Sequence, residues 1–199
     1  MKTKKISETE NMYRWGYWYA YGNPRKKDRK KAFECWKEAA NRGHVRAQFY
    51  LGTCYGFGIG TKRNLRLEKN WYEKAARSGH ETAQYNLGFM YRDGIGVRKD
   101  LRKAVRFLKA SALQGNPDAQ RDLGYCYHEG KGVKKNFKNG FYWYLKASKQ
   151  NDPKAQWNLA MCFLEGDGTK LDKKRSILWL KKAAKNGHKK AKARLKSSK

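Results

Sequence analysis

The sequence has little negative charge, no long hydrophobic segment and none of the common catalytic motifs. Only 17 of its 199 residues are Asp or Glu, against 47 Lys or Arg, which gives a formal net charge of +30. It contains no apolar run of about 18 residues, the usual minimum for a membrane-spanning helix. We therefore expect no membrane span, and we expect anionic partners such as acidic proteins or nucleic acid.

Signals for export, disulfides and metal binding are also missing. The first residues, MKTKKISETENMYRWG, are positively charged but lack the apolar core of a secretory signal peptide. This pattern predicts a cytoplasmic protein in which the four cysteines stay reduced. Because no C-x-x-C pair is present, structural zinc is not expected.

The glycine-rich segments do not match known phosphate-binding loops. Pairs such as Gly94/Gly96 and Gly130/Gly132 recur along the chain, but they have neither the spacing of a dinucleotide-binding fingerprint nor the lysine of a P-loop. Their recurrence at a fixed interval indicates an architectural role. We find no catalytic constellation, and the sequence predicts a protein that is not an enzyme and holds no cofactor.

The chain is built from a repeat of 36 residues. Four segments, AQFYLG, AQYNLG, AQRDLG and AQWNLA, start at equivalent positions: Ala47, Ala83, Ala119 and Ala155. One further unit precedes them, since Trp15-Gly16 stands where Leu51-Gly52 stands in the next repeat. We therefore divide the chain into a basic N-terminal segment (1–10), five repeats (11–46, 47–82, 83–118, 119–154, 155–190) and a basic C-terminal cap (191–199).

Each repeat is predicted to form a helix, a glycine-rich loop and a second helix. One repeat position before the second helix always carries a side chain that can cap it: Asp28, Asn64, Asp100, Asn136 and Asp172. Another position, before the first helix, carries His44, His80 and His188, which is typical of turn or cap chemistry. Cys54, Cys126 and Cys162 share a position on the apolar side of the first helix, which favours small core residues over disulfides.

These motifs resemble the Sel1-like repeat, a relative of the tetratricopeptide repeat. The segment AQYNLGFMYRDGIGV followed by DLRKAVRFLKASALQG carries the resemblance, which extends over nearly the whole chain. It implies an all-α fold, a right-handed α-solenoid of five 36-residue helix-loop-helix repeats, here with a C-terminal capping helix. It also implies a partner-binding or adaptor protein, and some bacterial relatives are immunity proteins that block a toxin domain.

The first helices carry the candidate partner-binding residues. If the alanine that opens AQFYLG is position 1, helical phase places positions 1, 5, 8 and 9 in the core and positions 3, 7, 10 and 11 on the opposite side. Aromatic residues are frequent on that opposite side, and aromatics with arginine are typical of interface hot spots. For position 3, packing between first helices is the alternative. We predict contacts with a partner from Tyr17, Tyr21, Phe89, Arg92, Tyr125, His128 and Trp157.

Two kinds of partner fit this pattern. The leading hypothesis is an acidic protein bound by the aromatic concave face, as in an adaptor or a toxin-immunity protein. The alternative is nucleic acid, with phosphates on the basic surface and bases stacked on exposed aromatics. Every repeat carries a surplus of basic residues, so charge alone does not separate the two.

Overall fold

The computed structural model describes residues 7–22, 24 and 26–197, and every regular element in them is an α-helix. The all-α fold and the predicted pair of helices per repeat are confirmed. Residues 1–6 of the predicted N-terminal segment lie outside the described part. The described helices are α1 (Glu8–Tyr21), α2 (Arg29–Asn41), α3 (Val45–Phe57), α4 (Leu65–Arg77), α5 (Glu81–Asp93), α6 (Leu101–Leu113), α7 (Pro117–Glu129), α8 (Phe137–Lys149), α9 (Pro153–Glu165), α10 (Lys173–Lys185) and α11 (Lys189–Lys196).

The helices form two compact units, Met1–Arg98 with α1 to α5 and Lys99–Lys199 with α6 to α11. In the first unit each helix packs on the next one along the chain, from α1 on α2 to α4 on α5. In the second unit the same order runs from α6 on α7 to α10 on α11. None of the described helices is both long and apolar enough to cross a membrane.

Side-chain caps start the helices where the sequence predicted them. The side chains of Asp28, Asn64, Asp100, Asn136 and Asp172 each accept a hydrogen bond from a backbone N–H in the first turn of the second helix. Such a cap stabilises a helix by about 1 kcal/mol. The three repeated histidines cap the helices that follow them, because Nδ1 of His44, His80 and His188 accepts from Ala47, Ala83 and Ala191 N–H.

Left-handed residues end the helices. Gly58, Gly94, Gly130 and Gly166 close first helices with φ between 69° and 80°. The second glycine of a loop is required for another reason. A Cβ at Gly132 would overlap the carbonyl of Leu101, so the loop can lie against the preceding second helix only without a side chain.

In the core of each repeat, small residues of the first helix pack against larger residues of the second helix. Leu51 and Cys54 are fully buried, and so are their counterparts Leu123 and Cys126 to within a few per cent. A buried glutamine ties each such helix to the one before it: Gln48, Gln84, Gln120 and Gln156 donate from Nε2 to the carbonyls of Ala40, Ala76, Ala112 and Ser148.

Close helix approach depends on a glycine at position 6. A Cβ at Gly52 would stand 2.7 Å from the Tyr72 ring, and one at Gly124 would stand 2.7 Å from the Tyr144 ring. In the fifth repeat Ala160 takes this position and packs in a cluster with Leu180. Position 6 is thus Gly or Ala in every repeat, and Gly52 and Gly124 have no room for a side chain.

Candidate partner-binding surface

The exposed aromatic side chains of the first helices lie at positions 7 and 11, as helical phase predicted, with one exception. Trp15 at position 5 is 40% exposed, although helical phase placed that position in the core. Tyr17 and Phe89 at position 7 are 44% and 37% exposed, and Tyr21 and Phe57 at position 11 are 61% and 75% exposed. In the second unit Tyr125 at position 7 is 40% exposed. Single exposed apolar side chains are common on protein surfaces, so these rings are informative only where several lie together.

Position 3 has a packing role instead. Its ring stacks on the histidine that caps the next first helix: Tyr13 on His44 at 4.5 Å, Phe49 on His80 at 4.6 Å and Trp157 on His188 at 5.0 Å between ring centroids. Trp157 also packs against the buried cluster around Leu180. Trp157 therefore has the packing contacts of the alternative for position 3, and its contact with a partner stays a prediction.

The fourth repeat replaces this stack by an ion pair. Arg121 stands at position 3, and Asp152 takes the place of the capping histidine. One guanidinium nitrogen of Arg121 lies 3.0 Å from Asp152 Oδ2 and 2.6 Å from Asp118 Oδ1. The carboxylates raise the pKa of Arg121 further above its ordinary value, although burial opposes them. In these four repeats the residue at position 3 therefore contacts the cap that follows it.

Two tyrosines form an exposed aromatic pair in the first unit. The rings of Tyr17 and Tyr21 lie 4.5 Å apart on α1, and Tyr17 meets the edge of Tyr50 at 6.5 Å. Tyr50 stacks in turn on the buried Trp36 at 4.7 Å, and burial raises the pKa of Tyr50 to about 12. The pair thus stands on a packed aromatic base, which pre-orders it for contact with a partner.

The first unit also contains a pocket of about 640 Å³, which lies between α3, α4 and α5. Aromatic side chains on its wall include Phe57, Tyr85 and Phe89, and Arg92 lies over the Phe89 ring at 4.8 Å. Arg92 is also held by Asp93, with Nε 2.8 Å from Oδ1. Two of the predicted contact residues, Phe89 and Arg92, are therefore neighbours, and the pocket adds Phe57 to them.

The pocket also holds a buried carboxylate. Glu68 is only 9% exposed, and a Cβ at Gly56 would collide with its carboxyl oxygens. Burial raises the pKa of Glu68, while a hydrogen bond from Tyr72 and the charge of Arg63 oppose that shift. Arg63 itself is fixed by a bond from its Nε to the Gly56 carbonyl at 3.0 Å.

In the second unit the predicted residues Tyr125 and His128 lie on one helix but in different surroundings. Lys131 lies over the Tyr125 ring at 4.7 Å and donates to its hydroxyl at 2.6 Å. The ring nitrogens of His128 lie 2.9 Å from Glu129 Oε1 and 2.8 Å from Asp167 Oδ2. Tyr125 is therefore 40% exposed but partly covered by Lys131, and His128 is engaged by two carboxylates.

Two residues of this surface were not predicted to make partner contacts. Phe57 could have been predicted from the sequence, because it is an apolar residue at position 11, which helical phase places on the exposed side. Glu68 stands where the other repeats carry small residues: Ala32, Ala104, Gly140 and Ser176. Among the described residues, no group of three or more His, Cys, Asp or Glu could hold a metal ion.

Comparisons with known proteins find the repeat directly in the sequence. The model of the Sel1 repeat matches five stretches: residues 12–44, 45–80, 82–116, 117–152 and 153–188. No curated protein matches the chain.

Solved structures share the fold. A Sel1 repeat protein from Oxalobacter formigenes is 32% identical with a TM-score of 0.85, over 92% of this chain and 73% of its own. Protein c5321, a protective antigen of uropathogenic Escherichia coli with an SLR fold, is 32% identical with a TM-score of 0.91, over 94% of this chain but 40% of its own. The immunity protein Pa5087 from Pseudomonas aeruginosa is 21% identical, with a TM-score of 0.54 over 95% of this chain and 70% of its own, which shows the fold alone. The predicted α-solenoid fold class is confirmed by these likenesses.

Proposed function

Because the chain belongs to the Sel1-repeat family, whose members are protein-interaction modules, we propose that it binds an acidic protein through exposed aromatic residues of its first helices. The observation that carries the proposal is the exposure of Tyr17, Tyr21, Phe57 and Phe89, all on first helices of one compact unit. Rings of this kind form the energetic centre of many interfaces. Tyr125 is the corresponding candidate in the second unit.

Charge supports the acidic character of the partner. The net charge is +30, and exposed basic residues include Lys134, Lys135, Lys173 and Lys174. A positive surface accelerates the encounter with a negative one, and this acceleration weakens as salt screens it. The aromatic residues would then supply contact area, and the basic residues would supply the association rate. A toxin domain blocked by this chain is one partner that fits such a surface, and an adaptor target is another.

A pull-down with nuclease treatment tests the proposal. The purified chain is immobilised, and native lysate is applied with and without nuclease. We expect an acidic protein to be retained in both cases, and to be lost with the double variant Tyr17→Ala and Tyr21→Ala. Retention that disappears with nuclease would instead favour the nucleic-acid alternative.

The matched control is an exposed aromatic residue on a second helix. Tyr142 on α8 is 48% exposed, close to the value for Tyr17, but it lies outside the first helices. The variant Tyr142→Ala should retain the partner. Equal loss with Tyr142→Ala and with the double variant would contradict the assignment of binding to the first helices.

A further inference from the structure

The pocket of the first unit arises from a paired change between two helices of the second repeat. Position 10 of the first helix is Gly56, which leaves space, and the facing second-helix residue is Glu68, which fills part of it. No other repeat combines a glycine at the first of these positions with a carboxylate at the second. The two changes go together sterically, since any side chain at residue 56 would displace the carboxylate.

The second unit shows what occupies the equivalent space. Two repeats after Gly56 stands His128, and two repeats after Glu68 stands Gly140. The His128 imidazole lies against the Phe137 ring at 5.0 Å, while its two nitrogens face Glu129 and Asp167 at hydrogen-bond distance. A planar nitrogen base between an aromatic ring and carboxylates therefore fills this place from within the chain.

The first unit has neither the base nor its partners, since Phe57, Ile95 and Leu65 stand where Glu129, Asp167 and Phe137 stand in the second unit. The rings of Tyr85, Phe57 and Phe89 supply an aromatic wall instead. A carboxylate comes from Glu68, on the other side of the gap that Gly56 leaves. A carboxylate next to aromatic rings suits a planar cation, which can donate to the carboxylate and stack on a ring.

We infer that the pocket between α3, α4 and α5 receives an arginine side chain of the protein partner, with its guanidinium on the Glu68 carboxylate and between the rings of Phe57 and Phe89. This inference rests on the proposed function, because it names the chemistry of one contact of that interface. Arginine fits better than lysine, since a flat guanidinium can stack on a ring and donate to a carboxylate at the same time. Phe89 already stacks with a guanidinium of this chain, that of Arg92.

Glu68 is the negative group that an incoming cation would meet in the pocket, and Arg63 on the same wall is a positive charge that competes for it. Arg92 is compensated by its contact with Asp93, and Arg63 is exposed and held by the Gly56 carbonyl. Glu68 is buried with the Tyr72 hydroxyl as its hydrogen-bonding partner, so part of its acceptor capacity remains for a donor that enters the pocket. An otherwise acidic partner with one projecting arginine would thus meet both the basic surface and the acidic pocket.

A titration with a defined arginine probe tests the assignment. Nα-acetyl-arginine amide is added to the ¹⁵N-labelled full chain, and amide shifts are followed by NMR. We expect saturable shifts at residues 56–57, 63–72 and 85–95. Nα-acetyl-citrulline amide, which has the same shape without the charge, should produce none. Removal of the charge by Glu68→Gln should weaken binding about tenfold, the usual scale of a hydrogen bond to a charged group.

Two further variants keep the test decisive. Phe57→Ala removes a residue of the pocket wall that is 75% exposed. It should weaken binding of the arginine amide without unfolding the chain. Glu34→Gln, an exposed carboxylate on α2, should leave the titration unchanged. Equal binding of citrulline amide, or undiminished binding by Glu68→Gln, would overturn the inference. If the arginine probe fails while a partner still depends on Tyr17 and Tyr21, the pocket assignment falls and the proposed function stands.

Discussion

The two compact units use the same helical framework to present different surfaces. At position 11 the first unit has Tyr21, Phe57 and Asp93, whereas the second has Glu129 and Glu165. All five side chains are exposed. Both units have the same caps, the same left-handed glycines and the same buried glutamines. These five side chains are exposed in both units, so the chemistry of position 11 can differ between the units while the framework stays the same.

The same division holds inside the helices. Position 6 is Gly or Ala in both units, and in four repeats the residue at position 3 contacts the cap that follows it. Position 10 is free to be Gly56 in one unit and His128 in the other, because the facing second-helix residue changes with it. Differences between repeats, rather than the repeat itself, therefore mark the candidate binding residues.

The largest expected effect concerns what the two units share. The variants Gly52→Val and Gly124→Val should each lower the free energy of unfolding by about 3 kcal/mol, the upper end of typical overpacking costs. The reason is the contact of a new side chain with the Tyr72 or Tyr144 ring. Thermal and denaturant unfolding measure it. The neighbouring exposed substitution Tyr125→Ala is the control and should change stability little. If the two glycine variants melted like the wild type, the shared close approach would not exist.

The next effect concerns where the units differ. At position 11, Tyr21→Ala and Phe57→Ala should each weaken partner binding by about 2 kcal/mol, as expected for aromatic interface residues. Glu129→Ala and Glu165→Ala, at the same position of the second unit, should change affinity little. Calorimetry with the captured partner measures all four. Melting temperatures of the two aromatic variants should stay near that of the wild type. Equal losses at all four sites would show that both units bind the partner alike.

A smaller effect tests the contact between position 3 and the cap that follows it. Arg121→Tyr alone leaves Asp152 facing a ring and should destabilise the chain. Adding Asp152→His recreates the ring-on-histidine stack seen for Tyr13 and His44. We expect Asp152→His to be about 1 kcal/mol more favourable for the free energy of unfolding in the Arg121→Tyr background than in the wild type. Such an interaction energy is within the usual range for contacting residues. A double-mutant cycle on unfolding free energies measures it, and strict additivity would contradict the pairing.

The sequence predicted the framework well because its signals are local. A cap such as Asp100 and a helix stop such as Gly94 act through hydrogen bonds and dihedral angles within a few residues of themselves. The candidate surface was predicted less completely. Helical phase identified Tyr17 and Tyr21 as exposed, but Trp157 and His128 share that phase and are engaged by His188 and by two carboxylates. His188 and Asp167 lie outside the helices that carry Trp157 and His128, so phase within one helix carries no information about these contacts.

The smallest expected effect contrasts a carboxylate of each unit. Burial raises the pKa of Glu68, so the folded chain binds its proton more tightly than the unfolded chain does, and stability falls as pH rises through this interval. The Glu68→Gln variant should therefore have a slightly higher melting temperature than the wild type at pH 7. This difference in melting temperature should disappear below the ordinary pKa of glutamate. In contrast, the hydrogen bond from His128 lowers the pKa of Glu129, so Glu129→Gln should melt below the wild type at pH 7, with the difference fading in acid. Melting curves between pH 3 and 8 compare the two variants. If both shifted in the same direction at pH 7, Glu68 would be an ordinary stabilising carboxylate rather than one kept at a cost to the fold.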